Sequence, residues 1–208
     1  SSRNRQRQQQ IAQFTKGASV VENADLTDLV SFARRFDFSS TNATAELLNE
    51  AASVLRGISA TEMITRIASL TAGTNRKPAT AQEMAALSFD ADKTPQKAAA
   101  LLSALSNQSG VSAFREEVFR NLLKALHASA SANDFADMVL KAREERRFHS
   151  RALGKKSVGS TLLVKGLEAD QVVIVDTHEM NAKNLYVALT RGAKRVVVCS
   201  TSQYLPAT

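Results

Sequence analysis

Residues 157–200 read SVGSTLLVKGLEADQVVIVDTHEMNAKNLYVALTRGAKRVVVCS and decide the fold of the C-terminal part of the chain. The pattern predicts strands over 158–164, 171–176 and 195–200, and a helix over about 181–193. The runs VVIV and VVVC do not alternate with polar residues, which is typical of strands covered on both faces, as in a parallel sheet. A strand, a helix and a strand in this order require a right-handed crossover, so the last two strands are predicted to lie parallel in one sheet.

The composition limits the class of protein. The chain has 208 residues, 44% of them hydrophobic, which is enough for one large domain or two small ones with a real core. Only 5% are aromatic, so nucleic-acid contacts are expected mainly through phosphates rather than base stacking. No apolar run is long enough to cross a membrane and no signal-peptide pattern opens the chain, so a soluble, cytoplasmic protein with no membrane partner is predicted. The first residue, Ser1, is not Met, which favours a fragment or a processed chain.

The net charge of +7 is concentrated in two places. Residues 141–156 hold seven lysines and arginines against two glutamates, and Arg3, Arg5 and Arg7 lie near the N-terminus. Two such patches favour a polyanionic partner, and the alternative is a solvated helix face with a charged terminus. The single cysteine, Cys199, is predicted to lie buried in a strand with a structural role in a reducing compartment.

The rest of the chain is predicted to be mostly helical. A polar helix over 4–14, a short strand over 19–21 and an amphipathic helix over 25–36 come first. From residue 39 the pattern is wholly helical, with helices predicted over 42–56, 60–72, 81–87, 95–106, 112–129 and 133–149. Three of their starts carry capping signals, namely Ser59 with Glu62, Thr80 with Glu83, and Thr94 with Pro95.

Several kinds of catalytic site are excluded or disfavoured by the motifs. No glycine begins a GxxxxGK[ST] P-loop, and Gly154-Lys155 comes closest. Asp176 ends an apolar strand, as the Mg²⁺-binding Asp of nucleotide hydrolases does, but without a P-loop a role in capping local backbone is favoured. The histidines and Cys199 have no metal-ligand spacing, and there is no GxSxG elbow, so neither a metal site nor a Ser/His/Asp triad is predicted.

Two segments resemble a known family. KGLEADQVVIVD, residues 165–176, and LYVALTRGAKRVVV, residues 185–198, resemble motifs V and VI in the second RecA-like domain of the UvrD/Rep/PcrA-like superfamily 1 DNA helicases. The two segments occur in the family's order, each on the expected strand or helix. Residues 4–11 show a fainter likeness to motif IV, with Gln6 in place of its arginine and Arg7 one position away.

The resemblance implies an ATP site. It makes Arg191 the arginine finger that reaches the γ-phosphate across a domain cleft, where a planar and permanently charged guanidinium stabilises the transferring phosphoryl group. It places Glu168 near the ribose, and Gly166 where backbone approaches the nucleotide. Judged from the residues alone, Arg191 is also explained as a cation stabilising the C-terminal end of its own helix.

The resemblance also implies nucleic-acid contacts at Ser160, Thr161 and Lys165. Leu162 stands where the family usually has His, and this departure leaves the DNA contact at that position open. Gly192 replaces the commoner Ala.

The fold class expected from these features is α/β. It consists of a partial RecA-like parallel sheet of the P-loop NTPase type, without the P-loop itself, and a large all-helical region inserted before the C-terminal βαβ unit. Residues 1–38 and 151–208 are predicted to form the RecA-like 2A domain, and 39–150 a helical insertion like domain 2B.

The function implied is that of the C-terminal part of an ATP-dependent DNA helicase or translocase. Its partners are DNA and an N-terminal RecA-like (1A) domain, which holds most of the ATP and Mg²⁺, so this part alone is expected to be inactive. The alternative is a non-catalytic nucleic-acid-binding or scaffold module with a degenerate helicase fold, in which the basic patches are the working surface.

Overall fold

The computed structural model describes residues 2–23, 25–74, 76–147 and 154–205. Within these residues the helices are α1 (Ser2–Phe14), α2 (Thr27–Arg35), α3 (Ala43–Val54), α4 (Ala60–Thr71), α5 (Ala81–Ala91), α6 (Pro95–Ser106), α7 (Glu116–Ala128), α8 (Phe135–Arg147) and α9 (Ala182–Leu189). The strands are β1 (Ala18–Val20), β2 (Leu55–Arg56), β3 (Ser112–Ala113), β4 (Lys156–Val158), β5 (Ala169–Ile174) and β6 (Gly192–Val198). Short 3₁₀ turns cover Ala132–Asp134 and Thr177–Glu179. The mixed α/β class is confirmed.

Local capping explains where the helices of the middle region begin. The Ser59 hydroxyl accepts a hydrogen bond of 3.3 Å from the Glu62 N–H, at the start of α4. The Glu83 carboxylate accepts one of 2.8 Å from the Thr80 N–H, at the start of α5. These bonds satisfy backbone donors that have no partner inside the first helical turn. The predicted helix starts at residues 60, 81 and 95 are therefore confirmed, while the predicted end of the last helix at 149 lies outside the described residues.

Helices α2 to α8 pack around one hydrophobic core, and we call this part of the molecule the helical body. A cluster of phenylalanine rings lies within it, with Phe135 meeting Phe32, Phe36 and Phe38 at centroid distances of 5.7–6.3 Å. Aromatic pairs in such edge-to-face arrangements add to the free energy gained by burial. Because three of these rings precede residue 39, α2 and the segment after it share the core of the predicted helical insertion.

A short antiparallel ladder corrects the expectation of a wholly helical middle region. β2 pairs with β3, and the Phe114 N–H donates to the Val54 carbonyl at 3.0 Å. Gly57 follows β2 with a φ of +85°, and a Cβ there would lie 2.6 Å from the Gly110 carbonyl oxygen, so only glycine fits. The predicted helices over 42–56 and 112–129 are shorter than expected because this long-range pairing competes with helix propagation.

Two parallel strand pairs form separate sheets. β1 pairs with β4, and β5 pairs with β6, so the parallel arrangement predicted for the last two strands is confirmed. The strand predicted over 158–164 is wrong beyond Val158. There the chain makes a helical turn in which the Leu163 and Val164 N–H groups donate to the Ser160 carbonyl at 3.0 and 3.1 Å. This turn brings Val164 back against Gly159, where a Cβ would lie only 3.0 Å from the Val164 methyl.

The pair of β5 and β6, which we call the C-terminal sheet, is covered on one face. Ile174 is buried on the side of α9, together with Leu185 and Ala188. Val173 points to the other face and is 63% exposed, so the prediction of strands covered on both faces is wrong. The physical reason is that one short helix covers only one face of a two-stranded sheet. Cys199, predicted to be buried, is exposed because β6 ends at Val198.

Candidate functional site

The two segments that carry the family resemblance meet at one edge of the C-terminal sheet. β5 and β6 are parallel and both begin at this edge, where Ala169 pairs with Gly192. The Ala169 N–H donates to the Arg191 carbonyl at 3.0 Å. Residues 165–168, which we call the KGLE turn, therefore lie next to the end of α9. We refer to this side of the sheet as the amino edge.

The Arg191 side chain ties the two segments together. Its Nε donates to the Val187 carbonyl at 3.0 Å, and its Nη1 donates to the Leu167 carbonyl of the KGLE turn at 3.2 Å. Its Nη2 donates to the Thr190 hydroxyl at 3.0 Å. Three of the five N–H donors of the guanidinium are thus used within the described part of the chain, and two remain. Arg191 both stabilises the end of α9 and fixes the KGLE turn.

Arg191 lies just after the helix rather than in it. α9 ends at Leu189, so the predicted helix end at 193 is wrong. β6 has one more residue than β5 between the first two pairings, and this bulge folds Gly192 back. A Cβ on Gly192 would lie 2.5 Å from a Val196 methyl and 2.9 Å from the Arg195 carbonyl oxygen. Glycine in place of the family's usual alanine is therefore required by the bulge.

The KGLE turn presents its polar groups to solvent beside Arg191. Gly166 has a φ of +82° and no atom near the position of a Cβ, so backbone is open to approach there. Lys165 and Glu168 are exposed. Neither side chain makes an ion pair or a hydrogen bond to another described residue. The amino edge thus combines a guanidinium with two free donors, an unpaired ammonium and an unpaired carboxylate.

Two of the three residues implied in nucleic-acid binding, Ser160 and Thr161, lie at the other end of α9, whereas Lys165 lies in the KGLE turn beside Arg191. The Thr161 hydroxyl donates to the Asn184 side-chain oxygen at 3.3 Å, near the start of the helix. Ser160 is half-buried, and its carbonyl is used by the helical turn, whereas Leu162 is 78% exposed. Asn184 and Arg191 are seven positions apart in the chain, which corresponds to about 10 Å along a helix. The structure therefore brings Arg191 close to Gly166 and Glu168 but separates it from Ser160 and Thr161.

The opposite, carboxyl edge of the C-terminal sheet holds Arg7. Its Nε lies 2.5 Å from an Asp176 carboxylate oxygen, and Asp176 has a left-handed φ of +58° just past β5. Arg7, the candidate substitute for the motif IV arginine, is thus separated from Arg191 by the length of β5. A cavity of about 260 Å³ opens beside this pair and is lined by Arg7, Val175, Asp176, His178, Cys199, Ser200 and Thr201.

A buried ionic network was missed by the sequence reasoning. Arg115 precedes α7, is 4% exposed, and donates to Glu22 at 2.5 and 3.1 Å and to Asp28 at 2.8 Å. Arg5 of α1 donates to the other oxygen of Asp28, also at 2.8 Å. Burial opposes the charged form, but the bonds to Glu22 and Asp28 raise the pKa of Arg115 above its usual value. No local pattern distinguishes Arg115 from a surface arginine, since its partners are 87 and 93 residues away.

Most described arginines of the two basic patches are held in internal ion pairs. Arg5 and Arg7 pair with Asp28 and Asp176. In α8, Arg143 pairs with Glu144 and Arg146 pairs with Glu117. Lys155 and Lys156 remain exposed, and Arg151 lies outside the described residues. The surface charge available to a polyanion is smaller than the sequence indicates.

The chain matches no protein-family model, no curated protein and no solved structure. In the part of the chain that the structure describes, every helix is too short or too polar to cross a lipid bilayer.

Proposed function

We propose that this chain belongs to the second RecA-like domain of an ATP-dependent superfamily 1 DNA helicase or translocase, with Arg191 as its arginine finger. Glu168 and Gly166 contact the nucleotide, while Ser160, Thr161 and Lys165 contact DNA. Most of the ATP and its Mg²⁺ are bound by a RecA-like 1A domain that supplies the P-loop. The helical body occupies the place of domain 2B.

The observation that carries this proposal is the hydrogen bond from Arg191 Nη1 to the Leu167 carbonyl. It joins the two family-like segments, which are 24 residues apart, at one solvent-facing edge. An arginine held by backbone carbonyls is pre-positioned, so little side-chain entropy is lost when its free donors meet a phosphate. The Glu168 carboxylate, which makes no ion pair with another described residue, lies in the same KGLE turn as Leu167, where it accepts a hydrogen bond from a ribose hydroxyl.

The charges at the amino edge indicate which part of an ATP site this chain supplies. Arg191 supplies positive charge where negative charge develops on the phosphoryl oxygens, which is the main way proteins accelerate phosphoryl transfer. The chain contains no P-loop to hold the phosphates. It therefore completes an ATP site rather than forming one, and by itself it neither hydrolyses ATP nor unwinds DNA.

The test is ATP turnover by the protein that joins this chain to its P-loop domain, measured with and without single-stranded DNA. Arg191→Ala is expected to lower kcat by about 10³-fold, the scale of arginine-finger removal. Arg195→Ala is the matched control, because Arg195 is an exposed arginine of β6 only four positions after Arg191. It should leave kcat unchanged.

Arg191→Lys separates the finger from a helix-capping role. A lysine keeps the positive charge at the end of α9, so thermal stability should be retained, but it lacks the planar fork and kcat should remain low. If Arg191→Ala and Arg191→Lys hydrolyse ATP as fast as the wild type, Arg191 is only a capping residue. The nucleic-acid-binding module is then the better explanation of the fold.

A further inference from the structure

We propose that the surface where α1 leads into β1 binds single-stranded nucleic acid, with the Phe14 ring as a stacking surface for a base. Phe14, Lys16, Lys155 and Lys156 form this surface, which we call the basic platform. The inference rests on the proposed function for the identity of the partner, DNA, and it is independent of the ATP site. It assigns a second nucleic-acid contact that the family-like segments do not contain.

The pairing of β1 with β4 brings the lysines of the platform together. The two strands are parallel and begin side by side, with Ala18 paired to Lys156. The Lys156 Nζ donates to the Lys16 carbonyl at 3.4 Å. Lys16, Lys155 and Lys156 are exposed, and none of them makes an ion pair with a described residue. Ammonium groups from segments 140 residues apart therefore share one edge of this sheet.

The two chain segments that form the platform carry no acidic residue. Residues 1–21 and 146–167 contain neither aspartate nor glutamate. Arg5, Arg7 and Arg146 in these segments pair with carboxylates from other parts of the chain, whereas the lysines of the platform do not. A local excess of positive charge attracts phosphate groups and concentrates polyanions at the surface. Charge complementarity therefore indicates an anionic polymer as the partner.

The Phe14 ring favours a single-stranded partner. Phe14 ends α1 and is 85% exposed, more than any other large hydrophobic residue in the described part of the chain. The turn after it is fixed, since the guanidinium of Arg56 in β2 donates to the Thr15 carbonyl at 2.7 Å and to the Ala18 carbonyl. Surfaces that bind single strands combine aromatic rings, on which bases stack, with cations that follow the phosphates. The bases of a duplex already stack on one another and offer no free face to the ring.

The platform and two of the residues implied in DNA binding lie at opposite ends of β4. Lys156 begins the strand, and Ser160 and Thr161 follow its last residue, Val158. The four positions from Lys156 to Ser160 span at most about 14 Å. This corresponds to about four nucleotides at the rise of about 3.4 Å of a stacked strand. One short single strand is therefore long enough to contact both ends.

The test is the fluorescence anisotropy of a labelled oligonucleotide of about 15 nucleotides, titrated with the 208-residue chain at several salt concentrations and without ATP. Binding is expected with a Kd of about 1–100 µM that rises steeply with salt. Phe14→Ala should weaken binding about tenfold, the scale of one lost stacking contact, without changing the salt dependence. Phe14→Tyr keeps an aromatic ring and should bind like the wild type.

The lysines are tested by their effect on the salt dependence. Lys16→Ala combined with Lys155→Ala should reduce the slope of log Kd against log salt by about 1.4, because each contact with a phosphate of a single strand contributes about 0.7. The matched controls are Tyr204→Ala, which removes another exposed aromatic ring, and Lys141→Ala, which removes an exposed lysine of α8. Both controls should leave Kd and slope unchanged. All substituted side chains are exposed, so every variant should keep the Tm of the wild type.

Four results overturn the proposal. The first is no binding up to about 1 mM protein, and the second is a Kd of Phe14→Ala equal to that of the wild type. The third is equal affinity for the same oligonucleotide as a duplex. The fourth is that the platform variants lose binding to phosphatidylserine vesicles but not to the oligonucleotide, which makes the platform a membrane-binding surface. Failure of the proposed function is measured separately, as unchanged kcat in Arg191→Ala.

Discussion

The helical body and the C-terminal sheet differ in how completely they bury their apolar side chains. Every helix of the body contributes buried side chains to a shared core, and its aromatic rings contact one another. The C-terminal sheet consists of two strands under one helix, and it leaves Val173 and Tyr186 63% and 69% exposed. The part of the chain with the most candidate chemistry is therefore the part with the less extensive packing.

This difference parallels the distribution of the candidate site residues between the two regions. Candidate residues such as Arg191 and Glu168 lie on a small unit whose strands begin at a solvent-facing edge. Regions with few buried contacts open locally at lower free energy than packed cores, and binding sites are often found in them. The ionic network of Arg115 connects the helical body to the segment that follows β1.

The largest expected effect tests the packing difference directly. Phe135→Ala removes a ring that is 1% exposed and contacts three other rings, so it should lower the free energy of unfolding by about 4 kcal/mol. Val173→Ala in the C-terminal sheet should cost at most about 0.5 kcal/mol because its side chain is mostly in water. Urea unfolding measures both. Equal losses would show that the C-terminal sheet is as well packed as the body.

A smaller loss of unfolding free energy is expected when the ionic network of Arg115, rather than the apolar core, is disrupted. Arg115→Ala leaves Glu22, which is 6% exposed, without its cation and should cost about 3 kcal/mol. Arg120→Ala changes an exposed arginine on α7 and serves as the control, with an expected loss below about 0.5 kcal/mol. If both variants unfold at the same urea concentration, the buried network contributes nothing to stability.

The smallest predicted effect is a gain in unfolding free energy rather than a loss. Glu50→Gln should stabilise the body by about 1 kcal/mol at neutral pH, because it removes a charge from a half-buried position where the cost of burial exceeds the attraction of Arg115 and Arg35. Since the folded pKa of Glu50 is raised above its ordinary value of 4.5, the native state favours the protonated carboxyl. The wild type therefore loses stability as pH rises from 4.5 through the folded pKa, and the variant does not.

The measurement is the difference in unfolding free energy between wild type and Glu50→Gln as a function of pH. Four charged residues lie near Glu50 or act on its charge, namely Arg35 and Asp28 on α2, Arg115 ahead of α7 and Glu46 on α3. Their own titration cancels in the difference between the two proteins, because both proteins contain these residues. The gain should shrink towards zero as the pH falls below 4.5. A gain that is constant with pH would mean that Glu50 carries no burial penalty.

The secondary structure was predictable wherever it depends on neighbours in sequence. The start of α4 at residue 60 was visible because Ser59 and Glu62 cap the helix within one turn. The parallel pairing of β5 and β6 was predictable because a strand, a helix and a strand leave few other arrangements. The turn at residues 160–166 was not, because its apolar residues suit a strand equally well.

The sequence predicted which residues form the candidate site but not how these residues are arranged in space. Arg191, Gly166 and Glu168 were chosen from the family resemblance, and the structure brings their segments together through the Leu167 carbonyl. Arg7 was considered a substitute for a motif IV arginine, yet it pairs with Asp176 at the opposite edge. A resemblance of motifs carries residue types and order, whereas the edge on which a side chain lies depends on how the helix that bears it packs.

By itself the sequence determined the helical periodicity, the caps, the parallel strand pair and the lack of a P-loop, because each of these depends on residues close together in the chain. The tertiary contacts alone determine that Arg115 is buried, that Val173 is exposed and that Arg191 caps α9 while holding the KGLE turn. Burial and long-range hydrogen bonds depend on which segments meet. That choice is made by the free energy of the whole chain, and no local pattern records it.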